Sequence, residues 1–160
     1  MEAYDVAAWS DLFVACAGAA AALAGLLFVA VSINVERILA YPELPARALQ
    51  TAVLLLAVIV VSILGLAPAT GERAFALQVL AVGVVATLII GSALIRHPGQ
   101  AKRLPFRLLA VGPGAVLYIV GGISLLAESG GGLNWVLGAI VAAFIGATAN
   151  AWVLLIEILR

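Results

Sequence analysis

The sequence predicts an all-α, polytopic membrane helix bundle with five transmembrane helices, and three observations predict it. Hydrophobic residues make up 66% of the chain and charged residues 10%, against about 45–50% and about 25% in soluble domains. Five apolar runs of spanning length follow one another, separated by segments holding Pro, Gly or charge. The basic residues fall almost entirely at alternate ends of those runs. A chain this apolar cannot cover a globule with polar surface, so lipid is its expected solvent.

The spans are read at about 10–40, 45–67, 72–95, 105–128 and 133–159, as a single transmembrane domain. Before the first lie Glu2 and Asp5 but no Lys or Arg. A cleaved leader needs a basic start and a short apolar core, so this run is expected to be a retained helix. Ser10 stands where an N-cap would, with Asp11 complementing the helix dipole. Tyr4 and Trp9 suit an interfacial aromatic belt. The first span should end at Tyr41, because the residue before Pro42 avoids the α region.

Pro45 opens the second span, proline being well tolerated in a first helical turn. Pro68-Ala69-Thr70-Gly71 is turn chemistry before the third. The one basic loop, from Arg96 through His97 and Pro98 to Lys102 and Arg103, precedes Pro105 and the fourth. Within that span, Gly112-Pro113-Gly114 should kink the helix, since Pro113 cannot donate to the carbonyl of Leu109. Ser129-Gly130-Gly131-Gly132 holds a helix poorly and reads as a flexible turn before the fifth.

Charge gives the orientation. Arg37, Arg47, Arg96, Lys102, Arg103, Arg107 and Arg160 share one side, and Arg73 alone lies on the other with Glu2, Asp5, Asp11, Glu72 and Glu128. The positive-inside rule places the N-terminus outside and the C-terminus inside. Arg47 and Arg107 each follow a Leu-Pro dipeptide in a first helical turn, where the macrodipole disfavours a cation. Lipid phosphate at the headgroup level, with Lys102 and Arg103 nearby, is the expected reason. The repeated Leu-Pro-x-Arg, sixty residues apart, also raises a duplicated hairpin of the kind transporters use. Leu, Val, Ile and Ala dominate every span, however, and coincidence explains the rest of the match.

Net charge is zero, which argues against a nucleic-acid partner. One Cys and one His supply neither a disulfide nor a metal site, and no cofactor is expected. No nucleophile elbow, zinc-protease signature or phosphate-binding glycine loop is present, so no catalytic residue is assigned.

Two stripes remain. In the first span Asp11, Ala15, Gly18, Ala22, Gly25, Val29, Ser32 and Glu36 recur at alternating fours and threes and share a face. In the fifth, Ala139, Ala143, Gly146, Asn150, Val153 and Glu157 do the same. Small residues let helix backbones approach closely in lipid, where packing drives association. Gly18, Ala22, Gly25 and Gly146 therefore read as a helix-packing face, and the two stripes could close on one another and bury Asn150 with Ser32.

The alternative is a polar pathway or interface of Ser32, Asn34, Glu36, Asn150 and Glu157, because polar groups within spans face a bundle interior or a wet cavity. Glu36 and Glu157 fall at one level and could share a proton or cation. With Arg37 and Arg160 beside them, interfacial ion pairs are the plainer reading.

The stretch from Trp9-Ser10-Asp11 through Gly18-Ala19-Ala20-Ala21-Ala22 to Ser32-Ile33-Asn34, continuing into Leu44-Pro45-Ala46-Arg47, resembles a group of small bacterial inner-membrane proteins of unknown function. Some members of that group carry the label of modulator of the FtsH-type membrane protease. The resemblance covers the N-terminal third and implies no active site. The expected function is a non-enzymatic interaction or regulatory subunit that self-associates or docks on another membrane protein. An oligomeric ion channel or small-solute transporter is the alternative.

Overall fold

A computed structural model describes residues 2–41, 44–68, 71–95 and 104–159; the side chains of 2, 93–95, 104–111, 155 and 157–159 lie outside the description. Of the residues singled out above, Ala69, Thr70, Arg96, His97, Pro98, Lys102, Arg103 and Arg160 fall outside the described residues, as do the side chains of Arg107 and Glu157. The described residues are almost all helical, and no strand occurs among them. Two 3-10 turns, Glu2–Tyr4 and Val6–Trp9, lead into α1 (Ser10–Ile33), α2 (Val35–Ala40), α3 (Leu44–Leu66), α4 (Glu72–Ile95), α5 (Leu104–Leu126) and α6 (Leu133–Leu159). Among the described residues four helices are long and apolar enough to cross a membrane: Val6–Ile33, Leu44–Leu66, Glu72–Ser92 and Leu133–Leu154. They point to a multi-pass membrane protein. The described side chains of α5 form a shorter apolar stretch, Gly112–Leu126.

Local chemistry explains where the helices begin and end. Ser10 is not a cap. The preceding 3-10 turn delivers it already helical (φ −55°, ψ −44°), with its N–H bonded to the Ala7 carbonyl, and Asp5 caps that turn instead by accepting from the Ala7 N–H at 3.0 Å. The first span is not one helix either. Asn34 leaves helical geometry (φ −111°, ψ 20°), and its Nδ2 donates to the Ala30 carbonyl at 2.9 Å, which its own backbone N–H reaches at 3.3 Å. A short amide side chain competing for a backbone acceptor is the physical reason for the break. At the far end Tyr41 is extended (φ −116°, ψ 114°), as the following proline requires. α5 runs unbroken across Pro113, whose side is exposed.

α3 is the hub of the bundle, packing against α1, α4 and α6, while α5 fills the space between α4 and α6. The first apolar run is therefore peripheral. α1 presents Phe13, Cys16, Ala20 and Leu27 to α3, a second face at helical spacing beside the small-residue stripe. Phe13 sits against Gly65, where a Cβ would come within 2.7 Å of the ring, and tilts onto Phe75 at 5.9 Å between centroids. α4 and α5 pack backbone to backbone: a Cβ on Gly83 would lie 2.8 Å from the Ile119 nitrogen, and one on Gly122 2.8 Å from the Leu80 backbone.

The turn between α5 and α6, expected to be flexible, is densely bonded. Ser124 Oγ donates to the Ser129 carbonyl and accepts from the Gly132 N–H at 2.9 Å. Trp135 Nε1 donates to the Gly130 carbonyl at 2.6 Å, and the Tyr4 hydroxyl accepts from the Gly131 N–H at 3.0 Å. Gly132 (φ +49°) lies under Ala3 and the Tyr4 ring, so a side chain there would be both strained and blocked. Tyr4 thus ties the N-terminal turns to the loop.

Candidate functional site: a groove between the first and last spans

α1 and α6 barely touch, and the gap between them is a groove of about 280 Å³. α1 and α2 form one wall with Leu27, Asn34 and Ile38, and α3 supplies the floor with Thr51 and Leu55. The opposite wall is α6, through Thr148, Ala151 and Leu154. The lining is apolar except for Asn34, Thr51 and Thr148, and Thr51 Oγ1 is already committed to the Arg47 carbonyl at 3.0 Å.

The groove is flanked by buried polar groups. Arg47 is 6% exposed, Gln50 1%, Thr51 1% and Asn150 5%. Arg47, Thr51 and Leu55 follow one another at four-residue spacing, so Arg47 stands one turn beyond the floor residues on the same stripe of α3. Asn150, three residues after Ala147 and four before Leu154, is buried in α6 beside those wall residues without lining the groove itself. A Cβ on Gly114 would touch both Leu54 and Ala143 at 3.1 Å, which registers α3 against α6. Seven residues from that point along each antiparallel helix, Arg47 and Asn150 reach one level, about 10 Å nearer the start of α3 at ~1.5 Å per residue. Arg47 Nε and Asn150 Nδ2 are both buried without a hydrogen-bond partner. Each is a donor, and in an apolar surround an unmet donor carries the full cost of its desolvation, about 1–3 kcal/mol.

The sequence-derived residues divide cleanly. Gly146 and Asn150 are buried on the inner face of α6. Gly18, Ala22 and Gly25 are exposed on α1, and a Cβ on Gly18 or Gly25 would meet nothing within 4 Å. Ser32 and Glu36 continue that exposed face, while Asn34 turns into the groove. The seam imagined between the first and last spans is absent: α1 and α6 scarcely touch, and α3 packs against both. Arg47, expected at headgroup level, is buried in the first turn of α3.

Gln50 and Thr51 escaped notice in the sequence, although their spacing from Arg47, three and four residues, already marked a polar stripe on one helix face. Among the described residues no three His, Cys, Asp or Glu side chains converge to hold a metal ion. No family model, no curated protein and no solved structure matches the chain.

Proposed function

We propose that this chain crosses a bacterial inner membrane five times, N-terminus outside and C-terminus inside, and serves there as a non-enzymatic subunit that self-associates through α1. α5 supports the fifth span, since it has the 23 residues of α3 and the same Leu-Pro-x-Arg opening. The basic skew of the loops supports the orientation.

The observation that carries the reading is the bare small-residue face of α1. Of the four clearly spanning helices α1 is the least covered, 22% buried over its most apolar window against 44% for α3. Small residues on a lipid-facing surface give up side-chain contact that Leu or Ile would make, whereas against a second helix they allow close approach. Homo-oligomers are the common outcome for such a surface, with docking on another membrane protein as the variant.

The test is disulfide crosslinking in native membranes from Gly18→Cys and Ala22→Cys, each in a Cys16→Ser background. A self-dimer is expected from both. Recovery of neither a dimer nor an adduct with another membrane protein would sink the proposal.

The channel or transporter alternative keeps one specific support. Ser32 and Glu36 lie on the exposed face and would line a pore formed between copies. Proteoliposomes holding the crosslinked oligomer, and passing no more ions or small solutes than empty vesicles, would dispose of it.

A further inference from the structure

We infer that residues 2–9 form a strap that latches over the α5–α6 turn when α6 is in place, and that this latch, not the turn's own residues, keeps the turn's left-handed backbone. Three observations carry this. The turn is costly to hold, since Glu128, Gly130, Gly131 and Gly132 all have φ between +48° and +114°. Side chains avoid that region, and glycine loses the most backbone freedom when fixed anywhere. The strap is bonded to the turn and lies on it. The Tyr4 hydroxyl accepts from the Gly131 N–H at 3.0 Å, and a Cβ on Gly132 would strike the Ala3 carbonyl and lie 2.7 Å from the Tyr4 ring. The strap also has its own footing, with Tyr4, Val6 and Trp9 packed against the core and Asp5 capping the second 3-10 turn.

The bonds within the turn differ in exposure, and that difference shows what the strap does. The Trp135–Gly130 and Asn134–Gly131 bonds are open to water, whereas the bond from the Gly132 N–H to Ser124 Oγ is buried. Water competes for an exposed bond and not for a shielded one, so the buried bond contributes most while its cover is present. The cover at Gly132 is Ala3 and the Tyr4 ring. The contact joins residues 127 apart in sequence, and the entropy of closing so long a loop is lost before the contact returns anything. The latch is therefore a late closing step of the bundle, and its release is the opening that costs least at that end.

The inference rests on the five-span reading and not on self-association. With α1, α3 and α4 crossing, the N-terminal turns and the α5–α6 turn share a membrane face only if α5 crosses too. Two experiments separate the latch from that reading. In the first, Ala7→Cys and Ser129→Cys, each in a Cys16→Ser background, are labelled in cells with a membrane-impermeant maleimide before and after permeabilisation. Both are expected to react from the same side. Labelling from opposite sides would overturn the five-span reading and the latch with it.

The second experiment follows hydrogen exchange at the glycine amides and tryptophan indoles of the full chain in lipid nanodiscs. Tyr4→Phe keeps the ring and removes the hydroxyl, so exchange at Gly131 should rise about fivefold, the scale of one hydrogen bond, with Gly132 unchanged. Tyr4→Ala removes the cover, and Gly132 and the Trp135 indole should then quicken together with Gly131. Quickening of Gly131 alone in Tyr4→Ala would overturn the latch and leave the five-span reading untouched, because the turn would stand by its own bonds. Should Tyr4→Ala misfold, Gly132→Ala decides from the other side of the contact. Thermolysin cutting before Val6, slow in the unaltered chain, should quicken at unchanged helix content by circular dichroism. An unchanged cutting rate would sink the latch as well.

Discussion

α1 and α6 carry the same kind of stripe, small residues at alternating three- and four-residue spacing, and meet opposite surroundings. In α6, Ala139 and Ala143 are fully buried, and α5 approaches so closely that a Cβ on Gly114 would lie 3.1 Å from the Ala143 backbone. In α1, Gly18, Ala22 and Gly25 look out into open space. Small-residue spacing therefore states that a close approach is possible and does not say which helix makes it. The choice depends on which face a neighbour already occupies: α3 covers the Phe13 face of α1, which leaves the stripe uncovered.

The same substitution in both stripes tests this contrast most severely. Ala143→Leu should destabilise the monomer by about 1–3 kcal/mol, because added methylenes must displace a packed backbone. Chemical unfolding in detergent reads the loss. A neutral result would mean that α5 and α6 are not in contact there. Ala22→Leu should leave monomer stability within about 0.5 kcal/mol, as surface changes do. Its effect should instead be the loss of crosslinked dimers in membranes. A dimer yield equal to that of the unaltered chain would move the interface elsewhere.

The smallest expected effect sharpens the contrast inside the groove. Asn150 occupies an α6 position that its neighbours make apolar, and its Nδ2 has no partner. In delipidated protein, Asn150→Leu should stabilise by about 1 kcal/mol, since removing an unsatisfied buried donor removes its desolvation cost. A loss of more than that amount, measured by the same unfolding assay, would place a protein acceptor on Asn150.

Much of the architecture was legible residue by residue. Pro45, Pro42 and the Gly130–Gly132 run fix helix ends through local sterics, and the observed bounds of α3, α4, α5 and α6 fall within two residues of those expected. Hydrocarbon thickness fixes the lengths. The break at Asn34 was not legible, because an Asn in an apolar run costs little until its side chain competes for the Ala30 carbonyl. The α5–α6 turn was misread for a related reason: glycine content reports freedom of the isolated chain, while Ser124, Trp135 and Tyr4 supply the hydrogen bonds that hold it. Ser124 and Trp135 stand in the helices that flank the turn, whereas Tyr4 lies at the opposite end of the sequence.

By itself, then, the sequence determined solvent, secondary structure and the faces available for packing, because hydropathy, helical period and proline sterics act over a few residues. Only the tertiary structure decided that α3 rather than α1 is the hub, that the first and last stripes do not meet, and that Arg47 and Asn150 stand at one level beside a groove. In lipid every apolar face is nearly equivalent in transfer energy, so partner choice turns on shape and connectivity between distant residues. Those are properties of the assembled bundle, and no single helix carries them.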